Sequence, residues 1–151
     1  MSENRIKIIA VIFGILTLLF GIYFLNLYFS MFGIFGRFPL DILMTSSFMQ
    51  LLTLSPLCFF IAFISSIGLF KIKQWGRFLA NSALSIYLLI FSWAIVTNMF
   101  PAFFNNALQA GRGWFIFYHL NLRIDTFIIP FTSLSFLVLF NLKVFKKHFV
   151  M

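Results

Sequence analysis

General acid–base chemistry needs titratable side chains within hydrogen-bond reach of one another, and few residues here qualify. The richest set is Asp41, His119, Arg123 and Asp125. An Asp beside a His can act as orienter and base, but no Ser or Cys nucleophile accompanies them at a recognisable spacing. Arg123 and Asp125 are two residues apart, so on a helix they point to different faces. All four read as solvated residues at a membrane surface. The remaining histidine, His148, falls on the opposite side of the membrane derived below, so it cannot share a metal with His119. Cys58 is the single cysteine and lies in an apolar run. It excludes an intrachain disulfide and a multi-thiolate metal site, and reads as a small buried hydrophobe. The expectation is a protein that is not an enzyme, with no catalytic, cofactor-binding or metal-binding residue and no cofactor.

A second kind of chemistry is recognition of a neutral solute. Gln50, Asn81, Ser85 and Asn98 are polar residues inside otherwise apolar runs and form a candidate polar pocket. Asn81 and Ser85 lie one helical turn apart on one face. The plainer reading is helix–helix packing, in which small and hydroxyl side chains allow close approach and bond across helices. Ala62 and Ser66 have the small-xxx-small spacing of such contacts. Pro56, within the second apolar run, removes one backbone donor and is expected to kink its helix. No Asp, Glu, Lys, Arg or His lies within the apolar runs, which argues against a proton relay or a voltage sensor.

The elements that carry these residues follow from composition. The 151 residues are 62% hydrophobic and 9% charged, with a mean hydropathy of +1.06. A water-soluble domain this small has too much surface to cover with so few charges. The expected class is an all-α integral membrane protein, a single domain spanning residues 1–151. About 20 apolar residues cross a bilayer as a helix. Four runs qualify, at about 8–30, 48–70, 78–100 (closed by Pro101) and 126–142, the last being short. They predict four transmembrane helices packed as an antiparallel bundle. The first run is too long for the apolar region of a signal peptide and reads as a retained helix.

Charge sets the orientation. Arg5 and Lys7, then Lys71, Lys73 and Arg77, then Lys143, Lys146 and Lys147 fall on one side of a four-span chain. Arg37, Arg112 and Arg123 fall on the other. By the positive-inside rule both termini are cytoplasmic, in a plasma or inner membrane. The net charge of +8 therefore reports topology and headgroup contact rather than nucleic acid. Residues 71–80, KIKQWGRFLA, read as the cytoplasmic turn of a tight hairpin. Lys71, Lys73, Trp75, Arg77, Lys143, Lys146 and Lys147 are the expected interfacial anchors. Trp75 would sit at headgroup depth, Gly76 would permit a bend, and Arg77 would snorkel toward phosphates. Residues 31–47 read as an interfacial or re-entrant piece, and the aromatic 105–125 stretch as interfacial or an early start to the fourth helix.

Trp75-Gly76-Arg77 followed by Leu79-Ala80, with the basic tail Asn141–Phe149, resembles a loose group of small bacterial four-helix inner-membrane proteins of unknown function. That group shows W-[AG]-R before L-A, and a closing P-x-V-x-x-x-F-like segment. Here the proline is absent and the spacing from Val144 to Phe149 is one residue longer. The resemblance implies an architecture and a bacterial inner membrane, with no activity. The expected function is a non-enzymatic accessory, scaffold or lipid-interacting protein; the alternative is a small transporter or channel for a neutral or apolar solute. Expected partners are the lipid bilayer and another membrane protein or a second copy, with no nucleic acid.

Overall fold

A computed structural model describes residues 2–35, 47–105 and 124–149. Helix α1 spans Glu3–Phe35, α2 Ser47–Phe70, α3 Gln74–Asn105, α4 Ile124–Asn141 and the short α5 Lys143–Lys146, followed by a 3-10 turn at Lys147–Phe149. Among the described residues there is no strand. Among the described residues, three helices are each long and apolar enough to cross a membrane, or up to four if the bent pair α4 and α5 with its closing turn counts as one span. At about 1.5 Å per residue, α1 and α3 approach 50 Å and exceed the roughly 30 Å hydrocarbon core. The outer connection at 36–46 and most of the 105–125 stretch lie outside the described residues, with Asp41, His119 and Arg123.

Each helix carries two apolar stripes at helical spacing. In α1, Ile6, Ala10, Phe13, Thr17 and Phe24 are buried, whereas Ile8, Val11, Ile12, Ile15, Leu19 and Ile22 are exposed. In α3 the exposed stripe runs Trp75, Phe78, Ile86, Leu89, Trp93 and Val96. Continuous exposed stripes of this kind suit a lipid solvent and not water.

α1 and α2 run antiparallel, since Gly14 lies against Ser66 and Gly21 against Phe59 and Phe60. α2 and α3 form a hairpin whose connection is only Lys71-Ile72-Lys73. Lys73 N–H donates to the Gly68 carbonyl (2.8 Å) and Ile72 N–H to the Leu69 carbonyl (3.0 Å). These are the two bonds of a Schellman cap, normally built around a left-handed glycine. Ile72 occupies that position, with φ of 54°, and its side chain packs on the core. The turn therefore rests on Ile72 rather than Gly76, which is helical and buried. Gly76 instead permits contact: a Cβ on it or on Gly68 would lie 2.6 Å from the other's Cα.

Pro101 does not close its helix as expected. α3 continues through Pro101 to Asn105, because proline removes one N–H while its fixed φ remains helical. α2 runs through Pro56 as one helix. α4 then bends by 61° into α5 and its turn. This bend returns Phe145 and Phe149 onto Ile6, Ala10, Phe13, Leu69, Ala80, Leu84 and Phe140.

Candidate functional site

The strongest grouping of functional side chains is at the end of the helices where α1 starts, α2 turns into α3 and the tail folds back. One apolar cluster holds Ile6, Leu69, Ile72, Phe145 and Phe149. Those residues are interleaved with Arg5, Lys7, Lys71, Lys73, Lys143, Lys146 and Lys147, so the packing gathers the cations at one end. Phe145 is tilted against Phe140 and stacks on Phe149, with ring centroids 5.2 and 5.0 Å apart, and this chain of rings anchors the tail. Of the anchors expected from the sequence, Lys71, Lys73, Trp75, Lys143, Lys146 and Lys147 are exposed.

Arg77 differs from them. It is half-buried, and its Nε and Nη1 are shielded from solvent with no hydrogen-bond acceptor among the described residues. Gly76, pressed on Gly68, holds the first turn of α3 and with it Arg77 against the hairpin. The nearby acid is already engaged: Lys7 Nζ lies 2.7 Å from Glu3 Oε1. Glu3 precedes the apolar run that begins at Ile8, and the Lys7 hydrogen bond and charge hold its carboxyl below the usual carboxylate range. The tail packs near the start of α1, since Phe145 and Phe149 share a buried cluster with Ile6 and Ala10.

Of the candidate polar pocket, the side chains of Asn81 and Ser85 are described. Asn141 Nδ2 donates to Asn81 Oδ1 at 3.4 Å and to the Leu137 carbonyl at 2.8 Å. Asn81 thus joins α3 to α4. Ser85 is partly exposed. Gln50 and Asn98 belong to α2 and α3, but their side chains lie outside the described residues. Asp125 is in the first turn of α4, and its side chain likewise lies outside them.

The helix hydroxyls also depart from the expected cross-helix bonding. Thr17 donates to the Phe13 carbonyl, Ser65 to Ala62, Ser66 to Phe63, Thr132 to Ile128 and Ser133 to Ile129. In apolar surroundings the nearest acceptor for such a hydroxyl is a carbonyl of its own preceding turn. Small size still matters at Ser66, where a Cβ on Gly14 would come within 2.7 Å of its Oγ.

Rings fill the other half of the interior. Phe24, Phe59 and Tyr87 interlock across α1, α2 and α3, with the Phe59 and Tyr87 centroids 4.7 Å apart. Cys58 is buried in the same cluster. The Ser55 and Tyr87 hydroxyls are buried with no hydrogen-bond partner among the described residues. Ser55 was visible in the sequence as a polar residue of the second apolar run, whereas Tyr87 was not singled out. Among the described residues, no three His, Cys, Asp or Glu side chains group to hold a metal ion. No known protein family, curated protein or solved structure matches the chain.

Proposed function

We propose that the chain is an integral protein of a bacterial plasma membrane that crosses it four times as an antiparallel bundle, both termini cytoplasmic. In this reading it acts without catalysis, as an accessory or scaffold component that organises lipid and packs against another membrane protein. One observation carries the reading: rings fill the interior and most helix hydroxyls are closed onto their own backbone, while the exposed cations gather at one end. Such a molecule offers its surroundings an apolar flank and a basic end rather than a polar interior track. The exposed stripes of α3 and α4, including Leu89, Trp93, Phe131 and Val138, are the surfaces for lipid or a partner helix.

The test is native mass spectrometry of the protein released from a mild membrane extract. A stoichiometric second polypeptide is the expected result. A bare monomer that also passes a neutral solute in proteoliposomes would contradict the scaffold reading. The second reading, a small transporter or channel for a neutral or apolar solute, is favoured by the buried Ser55 and Tyr87 hydroxyls, which have no hydrogen-bond partner among the described residues.

A further inference from the structure

We propose that the outward face of α1 is the seam along which two copies of this chain pair side by side in the membrane, held in register by hydrogen bonding between their Asn26 side chains. The inference rests on the membrane placement proposed above. Ile8, Ile12, Ile15, Leu19, Ile22, Asn26 and Phe29 follow one another at alternating steps of four and three residues. All seven are exposed, and at 100° per residue they share a face about 100° wide. Their period is that of a left-handed helix pair, whose seam faces its partner throughout. An apolar stripe of this period needs only lipid to cover it; Asn26 is the residue that lipid does not satisfy. Its amide is exposed and makes no hydrogen bond among the described residues, whereas Thr17 on the same helix closes onto the Phe13 carbonyl. Asn26 lies about five whole turns beyond Ile8 and so points the same way. Helix α1 continues past it to Phe35 without a charged residue, so the amide is not at the helix end. A polar group that faces acyl chains without a partner is unfavourable.

The amide selects the occupant. It carries two N–H donors and an acceptor oxygen, so it complements itself. Two copies inserted in the same direction have parallel α1 helices, and a two-fold axis along the membrane normal sets Asn26 opposite Asn26 at one depth. A single Asn in an otherwise apolar seam fixes both register and strand number. The area also suffices. The six apolar residues are 44–62% exposed. At about 200 Å² for a large side chain they leave roughly 600 Å² on each copy, or about 1,200 Å² per pair, where specific interfaces begin. Arg5 occupies the next position of the same register and is exposed ahead of the apolar run. The like charges therefore meet in the headgroup layer, where salt and anionic lipid screen them. The seam uses none of the α3 and α4 residues assigned above to lipid or a partner helix.

The test uses the full chain in a Cys58→Ala background. Ile15→Cys, Leu19→Cys and Ile22→Cys are oxidised in native membranes with copper phenanthroline, beside Phe131→Cys, which is no less exposed but lies on α4. The three α1 variants should form disulfide-linked homodimers, and Phe131→Cys should not. Energy transfer between copies labelled at Lys146→Cys, diluted stepwise in phosphatidylethanolamine–phosphatidylglycerol vesicles, then measures the association. Asn26→Leu should weaken it about tenfold, the scale of polar bonds between model membrane helices. Asn26→Gln should stay within about threefold of the parent, since its amide keeps donor and acceptor. Asn26 is exposed, so neither variant removes a buried contact, and circular dichroism checks their folding. Cross-linking absent from α1, or no stronger there than at Phe131→Cys, would overturn the proposal. So would an Asn26→Leu protein that pairs like the parent. Linkage of the α1 cysteines to a different polypeptide would overturn it in favour of an unlike partner. Alkaline-carbonate extraction of membranes tests the placement by itself: a protein released by carbonate fails that reading, whereas one that stays but forms no α1 cross-link fails only the seam.

Discussion

Gly68 and Gly76 meet across the α2–α3 hairpin so closely that neither has room for a side chain: a Cβ on either would sit 2.6 Å from the other's Cα. Backbone opposes backbone here, so neither side can yield as a flexible side chain would. Gly76→Ala should destabilise the protein by about 2 kcal/mol or more, the upper range for overpacking. Unfolding in mixed detergent micelles measures it. Gly14→Ala meets the Oγ of Ser66 instead, a side-chain atom that can rotate, and should cost less. Equal effects would mean the hairpin separates to accept the methyl group.

Ile72 holds a left-handed conformation that favours glycine, while its side chain packs on the inner core. Two terms of opposite sign therefore meet at one residue. Ile72→Ala loses the packing and keeps the strain; Ile72→Gly loses the packing and relieves the strain. The glycine variant should be the more stable of the two by about 1 kcal/mol. A more stable alanine variant would mean that the turn changes conformation on substitution.

The tail should behave as part of the fold. Phe145 and Phe149 are 1% and 2% exposed, whereas Val144 between the lysines is 57% exposed. Phe145→Ala should cost about 3 kcal/mol, within the range for a buried phenylalanine. It should also open the Lys146–Lys147 bond to trypsin. Val144→Ala should do neither. A Phe145→Ala protein as stable and protease-resistant as the parent would place the tail outside the core.

Asn81 and Asn141 provide a measure of packing against pocket chemistry. Their bond is long, at 3.4 Å, so a double-mutant cycle with alanine should return a coupling of about 0.6 kcal/mol, the average for polar pairs between membrane helices. A coupling near zero, with Asn81→Ala alone abolishing a transport activity, would favour the pocket reading.

Helix existence was legible because a bilayer imposes a length; among the described residues three helices satisfy it, and the fourth does so only if counted with its bent tail. Packing faces were not legible, for a physical reason. Ile8, Ile12 and Ile15 face outward while Ile6, Ala10 and Phe13 face inward, and hydropathy cannot separate two stripes that are both apolar. Gly76 invited the wrong reading because its partner, Gly68, is visible only after the chain reverses. The tail carried a usable signal: Phe145 and Phe149 are four residues apart, on one helical face, among lysines that drew attention to charge instead. Arg77 looked like the neighbouring lysines because sequence gives its charge but not the burial of its nitrogens. Nor was it legible that the hydroxyls of Thr17, Ser65 and Ser133 take their own helix as acceptor.

The account stands or falls on a closed interior, and Cys58 reports on it directly. The residue is 7% exposed and sits in the cluster with Phe59 and Tyr87. Right-side-out and inside-out vesicles would be treated with a membrane-impermeant maleimide, with exposed Lys146→Cys in a Cys58→Ala background as the reference. Cys58 should stay unlabelled from both sides until the protein is unfolded in detergent, and Lys146→Cys should label from the cytoplasmic side alone. Labelling of Cys58 in folded protein at a rate comparable to Lys146→Cys would reveal a water-filled path through the helices and contradict the scaffold reading.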